Sequence, residues 1–360
     1  MGIQDKIKQI QEEMARTQVN KATEFHLGML KARLAQLRRE LVMPRSTASG
    51  GNAFDVKKTG DATVAIIGLP SVGKSTLLTK ITNAKSEIAA YAFTTLKCIP
   101  GILEYKNAKI QILDLPGIIE GAKDGKGKGR EVIGVARGAD LILVLLDAAV
   151  PKQYKTIEKE LYGFGIRMDA KPPNVVIKKR ARDGIEIHST VKLTKISDMG
   201  IKAILAEYKL HNSHVTIRED VSVDEFIDVV EGNRIYIPSI VAVNKIDTVQ
   251  KLDKSAYPPG SYFVAAESNI GIESLKDAIY NKLRFIRVYT RRRGEVADLE
   301  EPLMMKMGST VGQVCEALHR DLRKNFRYAL ITGKSVKHQL QRVGLDHVVQ
   351  EGDVIYIVKR

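Results

Sequence analysis

Between residues 5 and 42 apolar side chains return every three or four positions: Ile7, Ile10 and Met14, then Leu27, Leu30, Leu34, Leu37 and Leu41. That period is one face of an α-helix. The polar patch from Arg16 to Asn20 interrupts it, so the spacing predicts an antiparallel helical hairpin over 1–45. Ser46 to Asn52 is small and polar, a flexible linker. Beyond it the pattern changes to short continuous apolar runs at 63–67, 109–114, 141–147, 240–243 and 262–266. Unbroken runs of this length suit strands buried on both faces of a parallel sheet. Helix-like segments follow at 75–81 and from Gly271, and strands alternating with helices predict a doubly wound α/β sheet.

One interval is too long for that plan. Between Asp147 and Ile240 lie 92 residues, where a crossover helix and its loops need about 30–40. The pattern therefore predicts an insertion at 171–235 that splits the sheet domain into 60–170 and 236–290. Within it, 175–177 and 185–187 read as strands and 197–205 as a helix. From about 291 to 360 a small α+β unit follows, with a helix start at 310–318, a strand at 328–331 and a terminal strand at 354–358.

Charge adds a partner class. Among 360 residues, 57 Lys+Arg against 42 Asp+Glu give a net charge of +15. A balance this basic favours a polyanion, with nucleic acid the first candidate. Three strips supply candidates: Lys31, Arg33, Arg38 and Arg39 on the second hairpin helix, Lys171, Lys178, Lys179, Arg180 and Arg182 in the insertion, and Arg287 with Arg291 to Arg293. Each reads equally as a solvated face. Cys98 and Cys315 stand too far apart in sequence to suggest a disulfide framework or zinc site, and His211 with His214 reads as an ordinary surface pair. No apolar run approaches the ~18 residues of a membrane span. The polar N-terminus shows no secretory signal. A cytoplasmic monomer is the expectation.

The chemistry centres on Gly68-Leu69-Pro70-Ser71-Val72-Gly73-Lys74-Ser75-Thr76, which fits G-x-x-x-x-G-K-[ST] between a strand and a helix. Such a loop points successive N–H groups at one anion. Lys74 would reach the β- and γ-phosphates and the Ser75 hydroxyl would hold Mg²⁺. Asp114-Leu115-Pro116-Gly117 ends a strand with 39 residues between Lys74 and Asp114. Asp114 would hold Mg²⁺ through water and the Gly117 N–H would meet the γ-phosphate. In Asn244-Lys245-Ile246-Asp247, a strand-end Asp247 can accept from both guanine N1–H and its 2-amino group. Adenine offers neither donor, so GTP or GDP is the expected ligand. Thr94 and Thr95 lie between the loop and D-x-x-G, where a segment can close over metal and γ-phosphate, with Thr95 the preferred metal ligand. Lys74, Thr95 and Gly117 are thus the catalytic candidates, and Ser75, Thr95 and Asp114 the metal ligands.

These motifs, with Tyr-Ala-Phe-Thr-Thr-Leu at 91–96 and the long Gly/Lys run after Gly117, resemble the Obg-related GTPases. Lys-Pro-Pro-Asn at 171–174, Ile-Leu-Ala-Glu-Tyr at 204–208 and Val-Val-Glu-Gly-Asn-Arg at 229–234 narrow the resemblance to the developmentally regulated GTP-binding family, over essentially the whole chain. The resemblance implies a Ras-like P-loop G domain, an N-terminal helical hairpin, an inserted domain like domain 2 of ribosomal S5 proteins, and a C-terminal β-grasp TGS domain. It implies a GTPase working with ribosomes or translation, and in eukaryotic relatives a zinc-finger regulatory partner. It adds Phe93 and Ala265-Ala266-Glu267 to the nucleotide site.

Two places depart from the Ras-like pattern. The position after D-x-x-G, where Gln orients the attacking water, holds Ile118, so slow intrinsic hydrolysis is expected. Ala265 stands where many G domains have Ser. Ser71 replaces the Asn of potassium-using relatives, which leaves K⁺ activation open. The run 123–130, with glycines alternating with cations, is expected to be a mobile loop. The rival readings are a non-catalytic, GTP-holding RNA scaffold and a housekeeping hydrolase without RNA.

Overall fold

The computed structural model describes residues 2–18, 20, 23–42, 59–82, 99–115, 128–291 and 300–359. The chain forms two compact units, each gathered from separated stretches. One comprises 1–55, 119–137 and 154–237, and the other 56–118, 138–153 and 238–360.

The second unit is built on a six-stranded sheet. Its order is Tyr262–Phe263, Ser239–Asn244, Leu141–Asp147, Ala62–Ile67, Ala108–Asp114, Ile99–Tyr105. The first five are parallel, and Ile99–Tyr105 closes the edge antiparallel. That edge strand lacks the unbroken apolar run of its neighbours. It turns into Ala108–Asp114 through Lys106 and Asn107, both at positive φ (48° and 68°), the backbone a tight two-residue hairpin needs. Val64, Ile66, Ile112, Leu143 and Leu145 pack on helices Lys74–Ile81 and Ile272–Leu283. Ala65, Ile67, Leu113, Ile142 and Val144, of opposite parity, are buried as well, which is why the runs show no alternation.

The predicted 262–266 strand is shorter than its apolar run. After Phe263 the chain bends, and Ala265 pairs with Ile270 across a tight loop closed by Gly271 at φ +73°. A five-stranded sheet completes the unit, in order Leu303–Lys306, Phe285–Thr290, Val354–Lys359, Phe326–Thr332, Gln341–Val343. Helix Val311–Leu318 lays Val311, Val314 and Cys315 on Ile286, Val288, Ala329 and Ile355. Met304 joins the core of the six-stranded sheet, and Lys306 pairs with Asp140.

In the first unit, helices Ile3–Arg16 and Glu24–Val42 form the expected hairpin, closed by Ile10, Leu30 and Leu34. The insertion is a three-stranded sheet, in order Val175–Lys179, Ser213–Ile217, Ile185–Ser189. Helices Asp198–Glu207 and Val223–Glu231 cover one face of it through Ile201, Ile204, Phe226 and Ile227. Ser197 and Ser222 cap their N-termini, the second in a capping box with Glu225. The second hairpin helix docks on this module: Ala32 is wholly buried in its core, and Gly28 passes over Ile204. Lys31 pairs with Asp224 (2.7 Å), Arg33 with Glu207 (3.0 Å) and Arg39 with Glu231 (3.6 Å). Three of the four cations read as an RNA arm are therefore an internal seam, and the fourth, Arg38, has its charge opposed by burial. Beneath the seam, Arg167 grips Asp228 with two bonds of 2.6 Å and Arg234 adds a third at 2.8 Å.

Helix Lys128–Gly138 begins inside the run expected to be a loop. Val132, Ile133, Val135 and Ala136 are buried at helical spacing, and their burial favours a helix at the end of the glycine tract. Residues 123–127 lie outside the described residues, as do the linker at 46–52 and the cations Arg292 and Arg293.

Candidate nucleotide site

The parallel strands of the six-stranded sheet end on one side, and their register levels the ends. Ile66 stands opposite Asp114, Ile67 opposite Val144, and Asn244 opposite Asp147. The crevice beyond the carboxyl ends of such strands is where open α/β sheets bind ligands. Here it is a cavity of about 540 Å³ lined by Ser71, Gly73, Lys74, Ser75, Thr76, Asn244, Lys245, Asp247, Thr248, Ala266 and Glu267. All but Thr248 were expected, Ala266 and Glu267 from the family resemblance and the rest from the motifs.

The glycine loop keeps its shape through two positions that exclude a side chain. A Cβ on Gly68 would lie 2.5 Å from the Leu145 carbonyl oxygen. Gly73 sits at φ +89°, and a Cβ there would lie 2.5 Å from Asn244 Nδ2. Helix Lys74–Ile81 starts immediately after, so its N-terminal turn, with the positive end of its dipole, lines the cavity. Lys74 Nζ donates to the carbonyls of Gly68 (3.2 Å) and Leu69 (3.0 Å), folded along its own loop. Ser75 Oγ donates to Asp114 Oδ2 at 2.8 Å. The other carboxylate oxygen, Asp114 Oδ1, is buried and has no hydrogen-bond partner among the described residues. Leu115 is buried and ties the strand end to Ile66.

The far wall is held by one side chain. Asn244, 2% exposed, donates from Nδ2 to the Val72 carbonyl (2.9 Å) and accepts at Oδ1 from the Ala266 N–H (3.0 Å). It thus joins the glycine loop to the 265–267 loop. Lys245 takes positive φ (63°) and donates to Ser71 O (2.6 Å) and to Asp147 Oδ2 (2.9 Å). Ile246 and Asp247 open a short 3₁₀ turn, where Ser268 Oγ donates to Asp247 Oδ2 at 2.6 Å. Ala265 is buried, and Pro70 and Glu267 are exposed at the rim. Phe93, Thr94, Thr95, Pro116, Gly117 and Ile118 lie outside the described residues, so of the catalytic candidates Lys74 is the one placed.

Asp147, Thr248 and Ser268 were missed. Asp147 had a signal, because it ends its apolar run as Asp114 ends its own. Ser268 follows the 265–267 triplet directly, but only the fold brings it to Asp247.

Three family models match in sequence. They are a 50S ribosome-binding GTPase domain at 63–179, the C-terminal region of that domain at 182–285, and a TGS domain at 286–359. A GTP-binding protein of Methanocaldococcus jannaschii is 53% identical, over 99% of this chain and 93% of its own. Developmentally-regulated GTP-binding protein 1 of Xenopus laevis is 49% identical and protein 2 of Homo sapiens 48%, each over 100% of both chains. The chain belongs to the developmentally regulated GTP-binding protein family.

Membership makes it a P-loop GTPase, a GTP-hydrolysing enzyme with a G domain and a C-terminal TGS domain. Among solved structures, the Schizosaccharomyces pombe YchF GTPase matches at 17% identity over 84% of this chain and 99% of that one, with a TM-score of 0.44. In this developmentally regulated GTP-binding protein, Asp247, Ala266 and Glu267 line the cavity together with Ser71, Gly73 and Lys74 of the glycine loop. No helix among the described residues is long and apolar enough to cross a membrane.

Proposed function

We propose that the chain is a Mg²⁺-dependent GTP/GDP switch acting with ribosomes or RNA. The observation that carries the metal reading is the orphaned, buried Asp114 Oδ1 beside the Ser75 hydroxyl. An ionised carboxylate buried with an unused oxygen is costly unless a cation or its water meets it. Ser75 and Asp114 would hold Mg²⁺, with Thr95 as the third ligand by family pattern. When bound, the ion neutralises charge developing on the phosphates.

The chain's own residues do the rest. The glycine-loop N–H groups and the first turn of helix Lys74–Ile81 hold the phosphates. Lys74 leaves the Gly68 and Leu69 carbonyls to meet them. Ser268 keeps one Asp247 oxygen oriented and leaves the other for guanine. Ile118 cannot orient water, so turnover of the chain alone is slow and the activating group comes from a partner or from K⁺. The ribosome reading is supported by the +15 charge and by the description of the matched G-domain model.

GTP turnover at low and high K⁺, with and without purified ribosomes, tests this. Lys74→Ala serves as the inactive control, and nucleotide binding is followed in parallel. The expected result is a slow basal rate, dependent on Mg²⁺ and raised by ribosomes. A near-zero rate that nothing raises, with nucleotide still bound, replaces the switch with the non-catalytic scaffold that Ile118 favours.

A further inference from the structure

The outer face of the inserted sheet gathers three side chains that the nucleotide chemistry does not use. Glu186 and His188 are two residues apart on strand Ile185–Ser189 and so project from one face. His214, on neighbouring strand Ser213–Ile217, stands in register with Glu186. Ile185, Ile187 and Val215 of the same strands turn the other way, into the module's core. The polar three therefore point outwards, with His188 57% and Glu186 44% exposed and His214 partly sheltered at 26%. His188 Nε2 lies 2.8 Å from Glu186 Oε1, and His214 Nδ1 lies 3.1 Å from Glu186 Oε2. The three ligand atoms all fall within 4.8 Å of one another. The surface pair expected of His211 and His214 is thus replaced by a trio whose members come from two strands.

We propose that Glu186, His188 and His214 form a binding site for a divalent transition-metal ion of the zinc class. Two imidazoles and one carboxylate are the N/O set such ions take at about 2.0–2.2 Å. Ligand atoms at that radius around a tetrahedral ion stand roughly 3.3–3.5 Å apart, close to the spacing of the two His–Glu contacts. Small rotations of exposed side chains supply the difference. Mg²⁺ and Ca²⁺ prefer all-oxygen sets, so the site selects against the ion of the nucleotide pocket. Three protein ligands leave one position facing solvent. Arg180 is the competitor: Nη1 donates to Glu186 Oε2 at 2.7 Å and Nη2 lies 3.3 Å from His214 Nδ1. Its side chain is 40% exposed, so it can swing into water when an ion takes its place.

The test uses the full chain loaded with GDP and excess Mg²⁺, so that the nucleotide site is already filled. Zn²⁺ is titrated by calorimetry and Co²⁺ by visible absorption. The expected result is one ion bound at about micromolar Kd, with Co²⁺ bands of low coordination number. His188→Ala and His214→Ala each weaken binding about tenfold or more, while Arg180→Ala tightens it. Circular dichroism confirms the fold of each variant, and Glu186→Gln supplies a near-isosteric check. The Co²⁺ spectrum of the unaltered chain needs no variant at all. No Zn²⁺ bound by the unaltered chain at ~0.1 mM, or the same affinity in the His188→Ala/His214→Ala double variant, overturns the proposal.

Discussion

Asn244 shows how much one side chain can hold. Its two ends bond to two separate loops, and it is buried, so truncation removes its bonds to the Val72 carbonyl and the Ala266 N–H. Asn244→Ala should cost about 2–4 kcal/mol, from the loss of two buried hydrogen bonds. Chemical denaturation measures the loss, and GTP affinity should fall with it. Asp247 acts differently, on choice of base. Asp247→Ala should lower guanine-nucleotide affinity about 100-fold or more while leaving the stability midpoint nearly unchanged, because the side chain is exposed before ligand arrives. Fluorescent GDP titration checks it, and an unchanged affinity would move base recognition elsewhere. These residues were legible because each is a chemical type fixed at a strand end. Ser268 was not, since its importance lies in the tight 265–270 turn that aims its hydroxyl at Asp247.

Helices and strands were most readable where burial leaves a period or an unbroken run. The hairpin stripe and the 141–147 strand are of this kind, the latter matching its element residue for residue. The antiparallel edge strand Ile99–Tyr105 was missed because it pairs on one side only and carries no unbroken apolar run, and its turn uses Lys106-Asn107 rather than a glycine pair. The docking of the hairpin on the insertion was invisible, since ion-pair partners such as Lys31 and Asp224 stand 193 positions apart. Within that module, Asp228→Ala should be severe. It strands two largely buried guanidinium groups, Arg167 and Arg234, at about 3–5 kcal/mol, readable in urea melts. Tyr208 gives a pH signature. Burial first, then its bond to Glu231 Oε1 (2.7 Å), raises its pKa above the ordinary tyrosine value. The folded state thus holds the phenolic proton more tightly than the unfolded chain. The stabilisation is complete below about pH 10 and is lost as pH climbs through the higher folded value. As pH rises above about 10, the unaltered chain should lose stability that Tyr208→Phe keeps, read from unfolding curves at several alkaline pH values.

Taken whole, the chain distributes its positive charge unevenly in function. Lys31, Arg33 and Arg39 face carboxylates of their own unit, so neutralising them should weaken hairpin docking and leave RNA affinity little changed. Lys178, Lys179 and Arg182 are exposed on the insertion. Replacing these three should flatten the salt dependence of RNA binding by about one slope unit per lost phosphate contact, measured by filter binding across a salt series. An unchanged slope would assign the polyanion surface to another part of the chain. The Asn244 bridge has a further consequence, for the nascent protein. It spans 172 positions to Val72, and its second bond waits for Ala266. A ribosome that has released only the first half of the polypeptide has therefore exposed a complete glycine loop with nothing to clamp it. Nucleotide capture becomes a late event of synthesis, so a translating chain cannot join the GTP cycle before the split domain has closed.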